Sequence, residues 1–350
     1  MKKIGLLGII ICLLIHINSS FAQEDIDDWK YQKELWIDHQ ASTELLEDYQ
    51  IFVEMNTLQL IEEGKLSPSG RDLRIFDPET KHFLCYWLEN EIFSSNTKIW
   101  FRVPQLLPKS RKKIYLCYGN PDAQKVDYQS CTFQFFDDFV GNTLDEEKWE
   151  AVGNGTFRIQ NGLIAFEGLG TDILIRSTQH FEMPLITEMK VTDSQGKYLA
   201  LALIKSEPLP YIWEGYTLGL DEGKNKIELM LTQSELSSCG AYNIYPTGIR
   251  GKLSENNIGI WSLSWITRNT IFANWPGGDL LEPNAIWSIQ QLDIVLGVLA
   301  CDMGSTFQGK LTVDWVRVRK LAANPPALTL GIENSNPKIG TINYLKDGVG

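Results

Sequence analysis

Phe157-Arg158-Ile159-Gln160-Asn161-Gly162-Leu163-Ile164-Ala165-Phe166 reads as two extended runs joined by Asn-Gly. Asn and Gly tolerate the positive φ that a two-residue hairpin turn demands, so the stretch predicts antiparallel strands meeting at residues 161 and 162. The same pattern continues in both directions. Ile99-Trp100-Phe101-Arg102-Val103 stops at Pro104. Lys226 to Thr232 places Ile227, Leu229 and Leu231 on one face and Lys226, Glu228 and Thr232 on the other, as suits an antiparallel strand with one solvated side. Tyr198-Leu199-Ala200-Leu201-Ala202-Leu203 alternates large with small. Ile294 to Cys301 is apolar on both parities, which predicts a strand covered on both faces. Leu58-Gln59-Leu60-Ile61-Glu62-Glu63 is the one helix the pattern supports. Many short strands separated by turns predict an all-β protein of two consecutive antiparallel β-sandwich domains.

The chain has 350 residues, of which 43% are hydrophobic, enough for two buried cores. Its formal charge of −12 disfavours nucleic acid and anionic lipid as main partners, because phosphate binding needs clustered Lys and Arg. Residues 1–22 start with Lys2-Lys3, run apolar from Ile4 to Ile17 and end Asn18-Ser19-Ser20-Phe21-Ala22. That is the pattern of a secretory signal peptide, with a core too short to span a bilayer comfortably. No later stretch approaches spanning length, so no integral membrane segment is expected once the signal is removed. A secreted or cell-surface protein follows. Residues 23–132 and 133–321 are the expected sandwiches, and Ala322-Ala323-Asn324-Pro325-Pro326 opens an expected C-terminal tail over 322–350. Export permits disulfides. Cys85, Cys117, Cys131, Cys239 and Cys301 nevertheless lack any C-x-x-C spacing, and buried free thiols are expected, with Cys85 and Cys117 as cross-strand neighbours the alternative.

The first domain resembles the family called domain of unknown function 2341. The resemblance lies in Asp72-Leu73-Arg74-Ile75-Phe76-Asp77, Tyr86-Trp87-Leu88-Glu89, Ile99 to Pro104 and Ile114-Tyr115-Leu116-Cys117-Tyr118-Gly119-Asn120, covering nearly all of residues 27–130. The second resembles concanavalin A-like lectin/glucanase (laminin-G-like) domains, through Phe136-Asp137-Asp138-Phe139, Leu144-Asp145, Lys148-Trp149 and the closing Gly309 to Val318. The resemblance implies a jelly roll and an association with carbohydrate, and no activity for the first domain.

Catalytic templates fail. Glucanases of this fold align two acids on one strand, and no Glu here has an Asp two positions later. A Gly-x-Ser-x-Gly elbow and a His-Glu-x-x-His motif are also missing, so no catalytic residue is assigned. His39, His82 and His180 are expected to be surface or packed side chains. Asp314 sits among Leu311, Val313 and Trp315 and needs a partner: a structural calcium, or a hydrogen bond or ion pair with Arg317 or Arg319. Binding is the better class. Sugars stack on aromatic faces, and two loops supply rings: Tyr211, Trp213 and Tyr216 in one, Trp275 beside Pro276-Gly277-Gly278 in the other. These rings serve either as a carbohydrate platform or as plugs in the open ends of the sandwich. Trp261, Leu263, Trp265, Trp87, Trp100 and Trp315 are expected in the core. The expected function is non-catalytic carbohydrate recognition; a structural or adhesive surface module and a hydrolase with an unrecognised site are the alternatives.

Overall fold

The computed structural model describes residues 24–342 except 90–93, 127, 154, 170–172, 206–211, 222–225, 236–241, 253–256, 268, 284–290 and 299–307. The first sandwich begins with β1 (Tyr31–Asp38), β2 (Leu46–Met55) and helix α1 (Thr57–Glu62), whose N-cap Asn56 accepts from the Gln59 amide. β3 (Arg74–Asp77), β4 (His82–Leu84), β5 (Tyr86–Leu88), β6 (Thr97–Leu106) and β7 (Arg111–Tyr118) follow. Helix α2 (Gln129–Thr132) leads to β8 (Phe135–Asp137), β9 (Trp149–Gly153), β10 (Thr156–Gln160), β11 (Leu163–Leu169) and β12 (Ile173–Ser177). Next come the long β13 (Leu185–Lys205), then β14 (Ile212–Asp221), β15 (Lys226–Glu235) and β16 (Tyr242–Lys252). The chain continues through β17 (Gly259–Thr267), β18 (Thr270–Trp275), β19 (Gly278–Glu282), β20 (Leu292–Val298), β21 (Gln308–Lys320) and β22 (Ala327–Ser335).

Two antiparallel sheets make the first sandwich, ordered β22-β1-β7-β3-β4 and β2-β6-β5. Their inner faces alternate into one core through Leu35 and Ile37, Ile51 and Val53, Ile99 and Phe101, and Ile114 and Leu116. In the second sandwich β13 belongs to both layers. Its first half lies between β21 and β17, and its second half, from Leu199, lies between β20 and β14. One layer therefore runs β10-β11-β21-β13-β17-β18-β19, with β8 also on β21, and the other runs β9-β12-β20-β13-β14-β15-β16. Trp149, Trp261, Trp265, Leu203 and Ile294 fill the space between them. This is the two-layer jelly roll the sequence predicts. The 161–162 hairpin forms as expected, with Gln160 opposite Leu163, and Asn161 and Gly162 at φ 56° and 71°. Every residue of β20 is buried, as its two-sided apolar pattern requires.

Two expectations are corrected. The supposed tail supplies β22, which pairs with β1 from Asp38↔Ala327 to Tyr31↔Ser335. The prolines that break the pattern mark a crossing back to the first sandwich, which is thus built from both ends of the chain. Cys85 and Cys131 form a disulfide, with Cα atoms 5.7 Å apart, so neither is a free thiol. Cys117 is not Cys85's neighbour but a buried free thiol on β7. Cys239 and Cys301 lie outside the described residues.

The sandwiches meet in an aromatic seam. Trp100 from the first packs with Phe133, Phe136 and Trp315, and Trp87 lies half-buried against them. Arg317 penetrates this cluster, its guanidinium 4.4 Å from the Trp100 ring and 4.5 Å from the Trp315 ring. It donates to Glu188 on β13 and to Glu89 beyond β5, at 2.7 Å each. Trp261 and Trp265 are core, as read; Trp87, Trp100 and Trp315 are hidden by the neighbouring sandwich rather than inside their own.

Candidate functional site

The expected aromatic ledge on the second sandwich does not form as read. Tyr216 is 2% exposed and Trp275 3% exposed, both in the main core. Tyr216 shares the inward parity of Leu218 on β14, and its ring meets Trp265 edge-on. Trp275 ends β18, and its indole folds over Gly278, where a Cβ would come 3.1 Å from the ring. The Pro-Gly-Gly turn that suggested exposure is what lets the indole turn inward. Trp213 is in β14 opposite Ser234, but its side chain, like all of Tyr211, lies outside the described residues.

Asp314 is partnered by Lys190, at 2.7 Å, with its side chain 31% exposed. Arg317 and Arg319 serve Glu188 instead. An ammonium competes with a divalent cation for the same oxygen, and among the described residues no three potential ligand side chains converge. The Asp314 surroundings do not fit a calcium ion. His39 is packed, its Nε2 paired with the Glu44 carbonyl, while His180 is exposed and braced at Nδ1 by the buried Asp293, which also holds Arg176.

A cleft of about 1130 Å³ opens instead on the outer face of the first sandwich. Its walls are the 3-10 turn Ile26–Asp28, the β4 hairpin, the segment 120–126 with Tyr128, and the returning C-terminal segment at Ile339. Phe83 and Ala123 in its lining pack on a small apolar cluster with Trp29, Phe76 and Cys117. Arg74, fully buried beneath, ties two of these walls to the turn before β3. Its Nε and Nη2 donate to Glu24 at 2.8 and 2.6 Å, and Nη2 also reaches the Gln124 carbonyl at 2.8 Å. Its Nη1 holds the carbonyls of Arg71 and Leu73 at 2.8 Å. The Trp29 indole donates to the Asp72 carbonyl at 2.9 Å. Burial pushes the Tyr86 phenol up to about 12, so at neutral pH it remains a donor to the Leu73 carbonyl. Burial likewise pushes the Cys117 thiol up, which leaves it an inert packing group.

Phe83 and Tyr128 present half-buried rings to this cleft, and Asp28, His82, Asp122 and Lys125 stand exposed at its rim. Asp27 is held by Lys338 at 3.2 Å, which ties the C-terminal segment over the mouth. The arrangement combines apolar ring faces with converging hydrogen-bonding groups on a braced floor. Sequence reading missed it because its parts come from four separate stretches, each looking like an ordinary turn. The one local signal is the turn sequence Gly119-Asn120-Pro121-Asp122 that follows β7.

Fold and cleft together define a two-sandwich β-protein with a jelly-roll second domain and a polar-aromatic site on the first. The family described as "Domain of unknown function (DUF2341)" matches residues 69–152. That span starts after α1 and runs through β8 into β9, so it includes the Phe136 to Trp149 motif that sequence reading gave to the second sandwich. The motif is structurally coherent there: Asp137 accepts from the Trp149 indole at 2.6 Å and from the Phe139 amide at 3.1 Å. No curated protein matches the chain. Among solved structures, LamAcat from Zobellia galactanivorans aligns with TM-score 0.40 and 14% identity, covering 54% of this chain and 98% of that one. The endo-β-1,3-glucanase from Pyrococcus furiosus aligns with TM-score 0.39 and 14% identity, covering 55% and 95%. β-Agarase A from Zobellia galactanivorans aligns with TM-score 0.38 and 12% identity, covering 55% and 90%.

Proposed function

We propose that this protein is a carbohydrate-recognition protein working outside the cytoplasm, and that its sugar lies in the first-sandwich cleft. The observation that carries this is the cleft's composition. Pyranose C–H faces stack on rings such as Phe83 and Tyr128, while hydroxyls donate to carboxylates and accept from amides and amines like those at the rim. Glu24 and Asp27 already brace walls through Arg74 and Lys338, which favours holding a ligand over acid–base chemistry. The Cys85–Cys131 bridge agrees with an oxidising compartment.

Glycan-array binding tests the proposal. Phe83→Ala and Tyr128→Ala, measured below their own melting temperatures, should each weaken the retained glycan at least tenfold, about 1.4 kcal/mol. An array without a bound glycan, or variants that bind like the parent, would overturn it. Release of reducing ends from a bound polysaccharide, abolished by one carboxylate substitution, would establish a hydrolase instead.

A further inference from the structure

We infer that the ligand of this cleft is a linear polysaccharide, gripped at internal units along a track that leaves the cleft and crosses the outer face of the five-stranded sheet to Trp36. This rests on the carbohydrate reading above and adds to it the polymeric nature of the ligand and a second part of the site.

The track follows from strand register. Phe83 on β4 pairs with Phe76 on β3, Phe76 with Tyr115 on β7, and Tyr115 with Glu34 on β1. Trp36, two residues on from Glu34, shares its face. Phe83, which lines the cleft, and Tyr115 pack on one apolar cluster, which links the cleft wall to Tyr115. From there Lys113 bridges the rings, its ammonium 5.3 Å from the Tyr115 centroid and 5.5 Å from that of Trp36. Arg111 lies 4.4 Å from the Trp36 ring, and the Trp36 indole donates to Glu34 at 3.1 Å. The ring is thus held rather than loose. Beyond it, β22 offers Gly331, where a Cβ would come 2.8 Å from the Glu34 Cβ and 3.2 Å from the Trp36 ring. The row ends in bare backbone beside the indole.

Trp36, Lys113 and Tyr115 are all partly exposed. Three inter-strand steps of ~4.8 Å, from β4 to β1, make a track of roughly 14 Å. That is the reach of several linked pyranoses and far more than one sugar terminus uses. Rings recur along it with Glu34, Lys113 and Arg111 beside them, so successive sugars find both a stacking face and hydroxyl partners.

Affinity electrophoresis in gels containing laminarin, xylan, agarose or alginate identifies the retained polymer. Titration with its two-unit and six-unit oligosaccharides then tests the track. The six-unit ligand should bind at least tenfold more tightly than the two-unit one. Trp36→Ala should abolish that gain and leave two-unit affinity unchanged, whereas Phe83→Ala should weaken both. Lys113→Ala carries the same expectation as Trp36→Ala should the latter fold poorly. Equal affinity for two and six units, or parental polymer retention by both track variants, overturns the track and leaves the cleft standing. No retention by any of the four gels, together with an empty glycan array, overturns both.

Discussion

Arg317 shows what a buried charge requires. With 1% of its side chain exposed, it is compensated only because Glu188 and Glu89 each accept from it and four aromatic rings lie around its guanidinium plane. Glu188 feels the opposing effects most strongly. Burial pushes its carboxyl up, and the guanidiniums of Arg317 and Arg319 more than reverse this, holding it at about 2. A folded value below the unfolded one of about 4.5 means that the ionised carboxylate stabilises the folded state above that pH. The contribution, about 3 kcal/mol, is lost as pH falls from 4.5 towards 2. Urea midpoints measured from pH 6 to 2.5 should therefore drop more steeply for the parent than for Glu188→Gln, which should already be less stable at pH 6. Parallel curves would show that the pair contributes nothing to stability.

At the scale of elements, β22 is the least expected piece. Its Leu328 packs on the first core, and Glu333 accepts from Lys65 at 2.7 Å and also from the Tyr118 hydroxyl. Ending the chain at residue 326 should cost about 3 kcal/mol or more, from one lost apolar side chain and one charge-assisted hydrogen bond, and leave β1 as an open edge. Lower thermal stability with concentration-dependent aggregation is the expected result; an unchanged melting temperature would mean that β22 is ornamental. Elements whose signal is local were legible in the sequence: the Asn161-Gly162 hairpin, α1 after Asn56, and β20 with both parities apolar. Parity also identified Trp100 and Trp315 as buried. It could not say against what, because the seam joins Trp100 to Trp315, more than 200 positions away, through Phe133 and Phe136. The same limit misplaced Trp275, whose burial depends on how a turn folds back, and hid the cleft, whose walls are joined by long-range links such as those of Arg74 to Glu24 and Gln124 and of Lys338 to Asp27. Pro325 and Pro326 read as an end because proline removes a ladder donor, yet they allow the chain to change sheets.

For the whole molecule, the order of elements makes the jelly roll an insertion within the first sandwich. The chain leaves after β7, builds β8 to β21, and returns as β22 to close the sheet that β1 began. Two links therefore cross the junction, and between them lies the Trp100–Phe133–Phe136–Trp315 seam with Arg317 inside it. Unfolding the second sandwich alone would strip the seam, leave Glu89 without Arg317 and pull on both ends of the first sheet. Burying rings costs nothing to undo only when water can replace them, and here the exposed seam would also leave the buried Glu89 without Arg317, with Lys98 alone among the described residues to balance it. The two sandwiches should accordingly unfold as one unit, although chains of this length commonly unfold domain by domain. Scanning calorimetry should show a single transition whose calorimetric and van't Hoff enthalpies agree. Arg317→Met should split it in two by uncoupling the seam. Two resolved transitions in the parent would mean that the junction is only a contact between independently stable halves.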